Sequence, residues 1–232
     1  MSLIVYNGSP RGERSNSSVI VSWFLEGYGK ENVEIRFLKN FNHHRSYAEE
    51  MSKYNQVLMV FPLYVDGMPG QVKNFFEILS TFKETLKDKQ VAYIIHSGFS
   101  DGIQCGTLEQ YLIRFSNIMH FDNHGVIVIP GSEGFRLYPP SMVKRKKEAV
   151  SSLAVSYKAN EPFNKSDLNL LFGKEKSSAF SIFIYKLLSL FGITNMYWNS
   201  RLKKNKAYKN RFDAPYKDNP TTITSENYIS NK

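Results

Sequence analysis

The sequence predicts an α/β fold: a three-layer sandwich with a five-stranded parallel sheet in the order 2-1-3-4-5, followed by a C-terminal helical extension. Three observations carry this. Short apolar runs alternate with segments of helical period, which argues for a parallel sheet with helices on both faces. The run Val57-Leu58-Met59-Val60-Phe61 is continuously apolar, as a strand buried on both faces must be. The first, third and fourth runs each end in a polar or glycine-bearing loop, the connection that right-handed crossovers and a doubly wound sheet require.

Strands are predicted near 2–6, 33–38, 56–61, 90–96 and 125–130, and helices near 17–29, 46–53, 70–85, 104–119, 141–158 and 179–192. The first strand is the run Leu3-Ile4-Val5-Tyr6. The first helix places Val19, Ile20, Trp23 and Phe24 on one side, and the third places Val72, Phe75, Phe76 and Leu79 likewise. Residues 160–178 form a connector with room for one short helix, and the polar stretch 213–232 is expected to be disordered. The domain organisation read from this pattern is an α/β domain over 1–158 and a C-terminal helical extension and tail over 159–232, packed on the same domain or at a subunit interface.

The chemistry concentrates at strand ends, where open parallel sheets bind ligands. Residues 7–18, NGSPRGERSNSS, follow the first strand and open a helix. A helix start offers unpartnered N–H groups and a partial positive charge, and a phosphate satisfies both. Ser9, Arg11, Ser15, Asn16 and Ser17 add hydroxyl, amide and guanidinium donors. The loop is neither a Walker loop nor a G-x-G-x-x-G fingerprint. The same residue types also serve as ordinary loop and N-cap residues. The second loop, in VLMVFPLYVDGMPG (57–70), and the third, Ser97-Gly98-Phe99 after VAYIIH, converge on the first; plain turn chemistry is the alternative for the middle loop. Gly67 and Gly98 are expected where the chain needs positive φ or close approach to a flat ligand.

The residues GSPR and SN after the first strand, PLYVDGMPG after the third and SGF after the fourth resemble the flavodoxin-like NADPH-dependent FMN reductases, a group similar to the NAD(P)H quinone dehydrogenases. The resemblance covers about residues 1–140, and PLYVDGMPG is its most specific part. It implies a flavodoxin-like fold with FMN and NAD(P)H as cofactors. The FMN phosphate would lie on Ser9, Arg11, Ser15, Asn16 and Ser17. The isoalloxazine ring would lie along Pro62, Leu63, Tyr64, Val65, Asp66, Gly67 and Met68, with Ser97, Gly98 and Phe99 at its far edge. It implies hydride transfer from a reduced nicotinamide through FMN to a quinone, flavin or similar small acceptor, and a dimer with the flavin near the interface. His96 departs from the small or acidic residue expected there, and the C-terminal third is longer than a minimal flavodoxin fold needs. Two alternatives stand beside this activity. A flavodoxin-type electron carrier is usually acidic, whereas this chain is basic; a non-catalytic binding protein of the same fold would take no flavin.

The 232-residue chain has net charge +9, and the basic excess is all C-terminal: residues 1–143 carry −1 and residues 144–232 carry +10. The lysines are dispersed apart from Lys144–Lys147 and Lys203-Lys204, so a solvated face is expected rather than a nucleic-acid partner. One cysteine, Cys105, excludes an intrachain disulfide and a four-thiolate iron–sulfur cluster, and suits a cytoplasmic location. The segment MSLIVYNGSPRG lacks the basic start and long apolar core of a signal peptide. The stretch 179–193 is interrupted by Lys186 and is too short to span a bilayer, so no integral membrane association is expected. Residues 179–192 are apolar nearly all round and are expected to be buried, against the core or at a dimer interface, with a helix held at a membrane surface by its basic flanks as the alternative. His43-His44 and the pair His120 and His124 lack a third ligand in a fixed arrangement, so no metal site is expected. Cys105 reads as a buried helix residue.

Overall fold

The structure is a computed structural model describing residues 2–173 and 179–214. It divides into two compact units, Met1–Lys176 and Ser177–Lys232. In the first unit five parallel strands, β1 (Leu3–Asn7), β2 (Val33–Phe37), β3 (Gln56–Pro62), β4 (Gln90–His96) and β5 (Asp122–Ile129), form one sheet in the order 2-1-3-4-5. This is the flavodoxin-like architecture the sequence predicts. β1, β3 and β4 are buried along their whole length, which explains their unbroken apolar runs.

Alternate residues of each strand feed two cores, as the two-residue period of a strand requires. Leu3, Val5, Leu58, Val60, Ala92 and Ile94 face α1 (Asn16–Tyr28) and α6 (Pro140–Ala159). Ile4, Tyr6, Val57, Met59, Phe61 and Tyr93 face the other layer, built from α2 (His44–Met51), α3 (Gly70–Ser80), α4 (Lys83–Leu86) and α5 (Gly106–Met119). α1 and α6 pack so closely that a Cβ at Gly27 would overlap the Ser151 carbonyl oxygen. The basic run at the start of α6 is largely engaged: Lys146 Nζ donates to Pro130 O at 2.6 Å, and Lys147 pairs with Glu26 at 2.8 Å.

Several boundaries differ from the sequence reading. The helix expected over 70–85 breaks at Thr81 and Phe82, where the Ser80 and Thr81 hydroxyls donate back to Glu77 O and Ile78 O and compete with the continuing helix. β5 starts at Asp122 rather than 125. Its polar residues read as a turn but pair with β4 through an irregularity in which Val91 opposes Asn123 and Ala92 opposes Gly125. The connector holds α7 (Lys165–Phe172), which buries Leu171 in the α1/α6 layer, so the extension counted from residue 159 is shared between the two units.

A buried polar network closes the end of the sheet where the strands begin. The Tyr157 hydroxyl accepts from Val57 N and lies within hydrogen-bonding distance of Val57 O and Gln90 O, at 2.8 and 2.9 Å. Gln56 Nε2 donates to Tyr157 O, and His124 bonds Gln90 Nε2 through Nδ1 and Glu161 O through Nε2.

The second unit contains α8 (Ala179–Leu190) and α9 (Met196–Lys204), the latter not anticipated from sequence. Phe183, Leu187, Leu188, Leu190 and Phe191 are exposed in the single chain. Apolarity all round a helix predicts burial but does not name the partner. The side chains of Phe180 and Ile182 lie outside the described residues, as does the tail from 215. Among the described residues no helix is long and apolar enough to cross a membrane.

Candidate functional site

Three loops meet at the carboxyl ends of β1, β3 and β4 and, with the loop after β5, enclose a cavity of about 80 Å³. Its lining includes Ser9, Arg11, Ser15 and Asn16 from the first loop, Pro62, Leu63 and Tyr64 from the second, and Ser97 and Gly98 from the third. These nine were singled out from sequence. Val65, Asp66, Gly67, Met68 and Phe99 do not line the cavity. Ser17 sits behind it, fully buried, its hydroxyl 2.7 Å from His96 Nε2. His96, Ser132 and Glu133 line the cavity without having been proposed as ligands. The last two come from the loop after β5, which carries no motif to flag it.

The first loop is fixed by its own side chains. Ser15 is the N-cap of α1: its hydroxyl donates to Gly12 O at 2.6 Å and accepts from Ser18 N at 3.1 Å. Asn7 Oδ1 accepts from Ser9 N, while its amide donates to Ser18 Oγ. Asn16 Nδ2 reaches across to Glu133 O at 3.1 Å, joining α1 to the β5 loop. Arg11 is exposed at the cavity and forms no ion pair among the described residues.

His96 is the strut between the loops. Ser132 Oγ donates its one proton to Ser97 O at 3.0 Å, so it accepts from His96 Nδ1 at 2.8 Å. Nε2 then carries the lone pair and accepts from Ser17. Burial pushes the His96 pKa down to about 3, so the ring stays neutral and holds this chain of hydrogen bonds across α1, β4 and the β5 loop. The Ser97 hydroxyl is buried with no oxygen or nitrogen partner among the described residues and lies against the weak Cys105 thiol, whose pKa burial raises.

The second loop is a miniature hairpin. Tyr64 N donates to Gly67 O at 2.9 Å and Gly67 N to Tyr64 O at 3.0 Å. Val65 (φ +47°) and Asp66 (φ +59°) occupy the two left-handed positions between them, and Val65 is 98% exposed. Gly67 and Gly98 do not have positive φ, and a Cβ at either would make only ordinary contacts. The expected conformational demand falls on Val65 and Asp66 instead.

Residues 1–131, more than half of the chain, match the family described as NADPH-dependent FMN reductase. The chain belongs to that family. No curated protein matches it by sequence. Solved structures share the fold of this FMN reductase family member at low identity. An NADPH-quinone reductase from P. pentosaceus is 17% identical, with 66% of this chain and 98% of that one covered and a TM-score of 0.51. An FMN-dependent NADH-azoreductase from Bacillus anthracis, in complex with FMN, is 15% identical over 68% and 100%, with a TM-score of 0.53. A general stress protein 14 from Treponema denticola, also with FMN, is 12% identical over 68% and 99%, with a TM-score of 0.54. Nearly all of each neighbour is matched, whereas about a third of this FMN reductase family chain lies outside the match.

Proposed function

We propose that this chain is an FMN-dependent NAD(P)H oxidoreductase that passes hydride from a reduced nicotinamide to a quinone, flavin or similar small acceptor. The observation that carries the reading is the donors gathered at one cavity: the Arg11 guanidinium, without an ion partner among the described residues, and the N-terminus of α1. A cavity of about 80 Å³ suits a phosphate group rather than a tricyclic ring. Ser9, Arg11, Asn16 and the first-turn amides of α1 would hold the phosphate. Ser15 and Ser17 would act through their backbone, since their hydroxyls are spent on the cap and on His96. Pro62 to Met68 would lie along the flat ring, with Ser97, Gly98 and Phe99 at its edge. Tyr64 and Phe99, both exposed, would bound the slot for the nicotinamide and the acceptor. Bound FMN supplies hydride acceptance and release, and the residues of the chain supply anchoring, orientation and an apolar face.

The test is an absorbance spectrum of the purified protein, followed by anaerobic addition of NADPH and, separately, NADH. Flavin bands that a reduced nicotinamide bleaches, and that a quinone restores, are expected. A colourless protein that takes up no FMN in titration overturns the reading. Bound FMN that neither nicotinamide reduces would make the protein an electron carrier.

A further inference from the structure

We propose that the C-terminal unit docks on the surface of an anionic lipid bilayer, with α8 lying in the headgroup–acyl boundary. Two features of the unit meet in this assignment. From Phe183 to Leu190, at 100° per residue, Leu190, Phe183, Leu187, Ile184 and Leu188 fall within one arc of about 160°, while Tyr185, Ser189 and Lys186 occupy the remainder. Most of that apolar arc is exposed: Leu190 is 82% and Phe183 61% accessible, and Phe191, just beyond the helix, 73%. A helix of 12 residues is about 18 Å long, too short for a hydrocarbon core of about 30 Å, so it lies in the interface rather than across it.

Charge selects the partner. Residues 179–214 contain seven cations, Lys186, Arg201, Lys203, Lys204, Lys206, Lys209 and Arg211, against one carboxylate, Asp213. Tyr208 lies beneath Lys203 and Arg211, at 5.0 and 4.0 Å, which keeps cationic heads beside an aromatic surface. Trp198, 64% exposed, is the amphipathic ring type found at the headgroup level. A second copy is itself net positive: its first unit carries 21 Lys/Arg against 18 Asp/Glu, and its second repeats the same cations. An apolar stripe in a unit with an excess of cations is the pattern that anionic membranes attract.

Co-sedimentation of the purified full-length protein with vesicles tests the proposal. Binding to vesicles of phosphatidylcholine and phosphatidylglycerol is expected, with weak binding to phosphatidylcholine alone and loss of binding as salt rises. Leu187→Asp with Leu190→Asp, or Lys203→Glu with Lys204→Glu, should each lower the bound fraction by about tenfold or more. The chain has two tryptophans, and Trp23 is buried, so a blue shift of emission on vesicle addition should vanish in Trp198→Phe. Unchanged thermal unfolding of the variants separates lost docking from lost folding. Equal binding to neutral and anionic vesicles overturns the proposal. So does a protein that ignores vesicles but forms a dimer by light scattering that the Leu187/Leu190 variant dissolves, or one that binds nucleic acid and not vesicles.

Discussion

At the scale of single residues, the site separates groups that hold the loop from groups left to meet a ligand. Ser15 and Arg11 look alike in sequence as polar members of one loop. In the structure Ser15 is spent on Gly12 O and Ser18 N, while Arg11 has no ion partner among the described residues. Arg11→Ala should therefore weaken FMN by about tenfold or more, since a charge-assisted bond is worth roughly 1.5–3 kcal/mol, and leave riboflavin affinity nearly unchanged. Ser15→Ala should lower folding stability by about 1 kcal/mol through the lost cap. Parallel titrations with the two flavins, and urea unfolding, check both. His96 gives a pH dependence. Its folded pKa of about 3 lies below the unfolded value of about 6.5, so the unfolded chain binds more protons between them and stability rises with pH. The contribution is complete above about pH 6.5 and is lost as pH falls toward 3. His124, whose pKa burial also lowers, acts in the same direction. His96→Gln should flatten the urea-midpoint profile between pH 7.5 and 4.5; an unchanged slope would place the titration elsewhere. Val65, β-branched and left-handed, is strained. Val65→Asn should raise stability by about 1 kcal/mol, readable in the same unfolding experiment.

At the scale of elements, the sequence was most informative where a pattern repeats. The five strands and the helices α1, α2, α3, α5, α6 and α8 follow from apolar runs and helical spacing, since burial on one or both faces writes itself into the period. It was least informative where a polar group decides the boundary. Ser80 and Thr81 end α3 by bonding back to the helix, and Asn123 to Gly125 continue β5 through an irregularity, yet both stretches are ordinary polar residues on paper. Ser132 and Glu133 reach the cavity only because β5 ends beside β4, more than a hundred residues after the first loop. Gly27 shows the reverse case, a small residue whose need appears only in packing. Gly27→Ala must push α1 from α6 by displacing the backbone at Ser151, and should cost about 1–3 kcal/mol. Because α1 opens on the cavity, FMN affinity should fall as well; a fully stable variant would mean that the two helices can slide apart freely.

At the scale of the whole molecule, the first unit is sealed from its late residues. α6 lies over α1, Lys158 Nζ donates to Tyr28 O at 2.7 Å, and the Tyr157 hydroxyl ties β3 to β4 from below. The region that carries the family signature stops at residue 131, before any of this. A fragment ending there should expose Ile20, Phe24 and Tyr28 and aggregate, whereas one ending at 176 should unfold cooperatively; circular dichroism and gel filtration of the two distinguish them. The same closure sets a schedule for synthesis. The strands emerge from the ribosome first and wait, with the apolar side of the first helix uncovered, until the chain beyond residue 158 has cleared the exit tunnel. Translation slowed between residues 131 and 158 would prolong that wait, and a chaperone holding the nascent first helix would be needed most there.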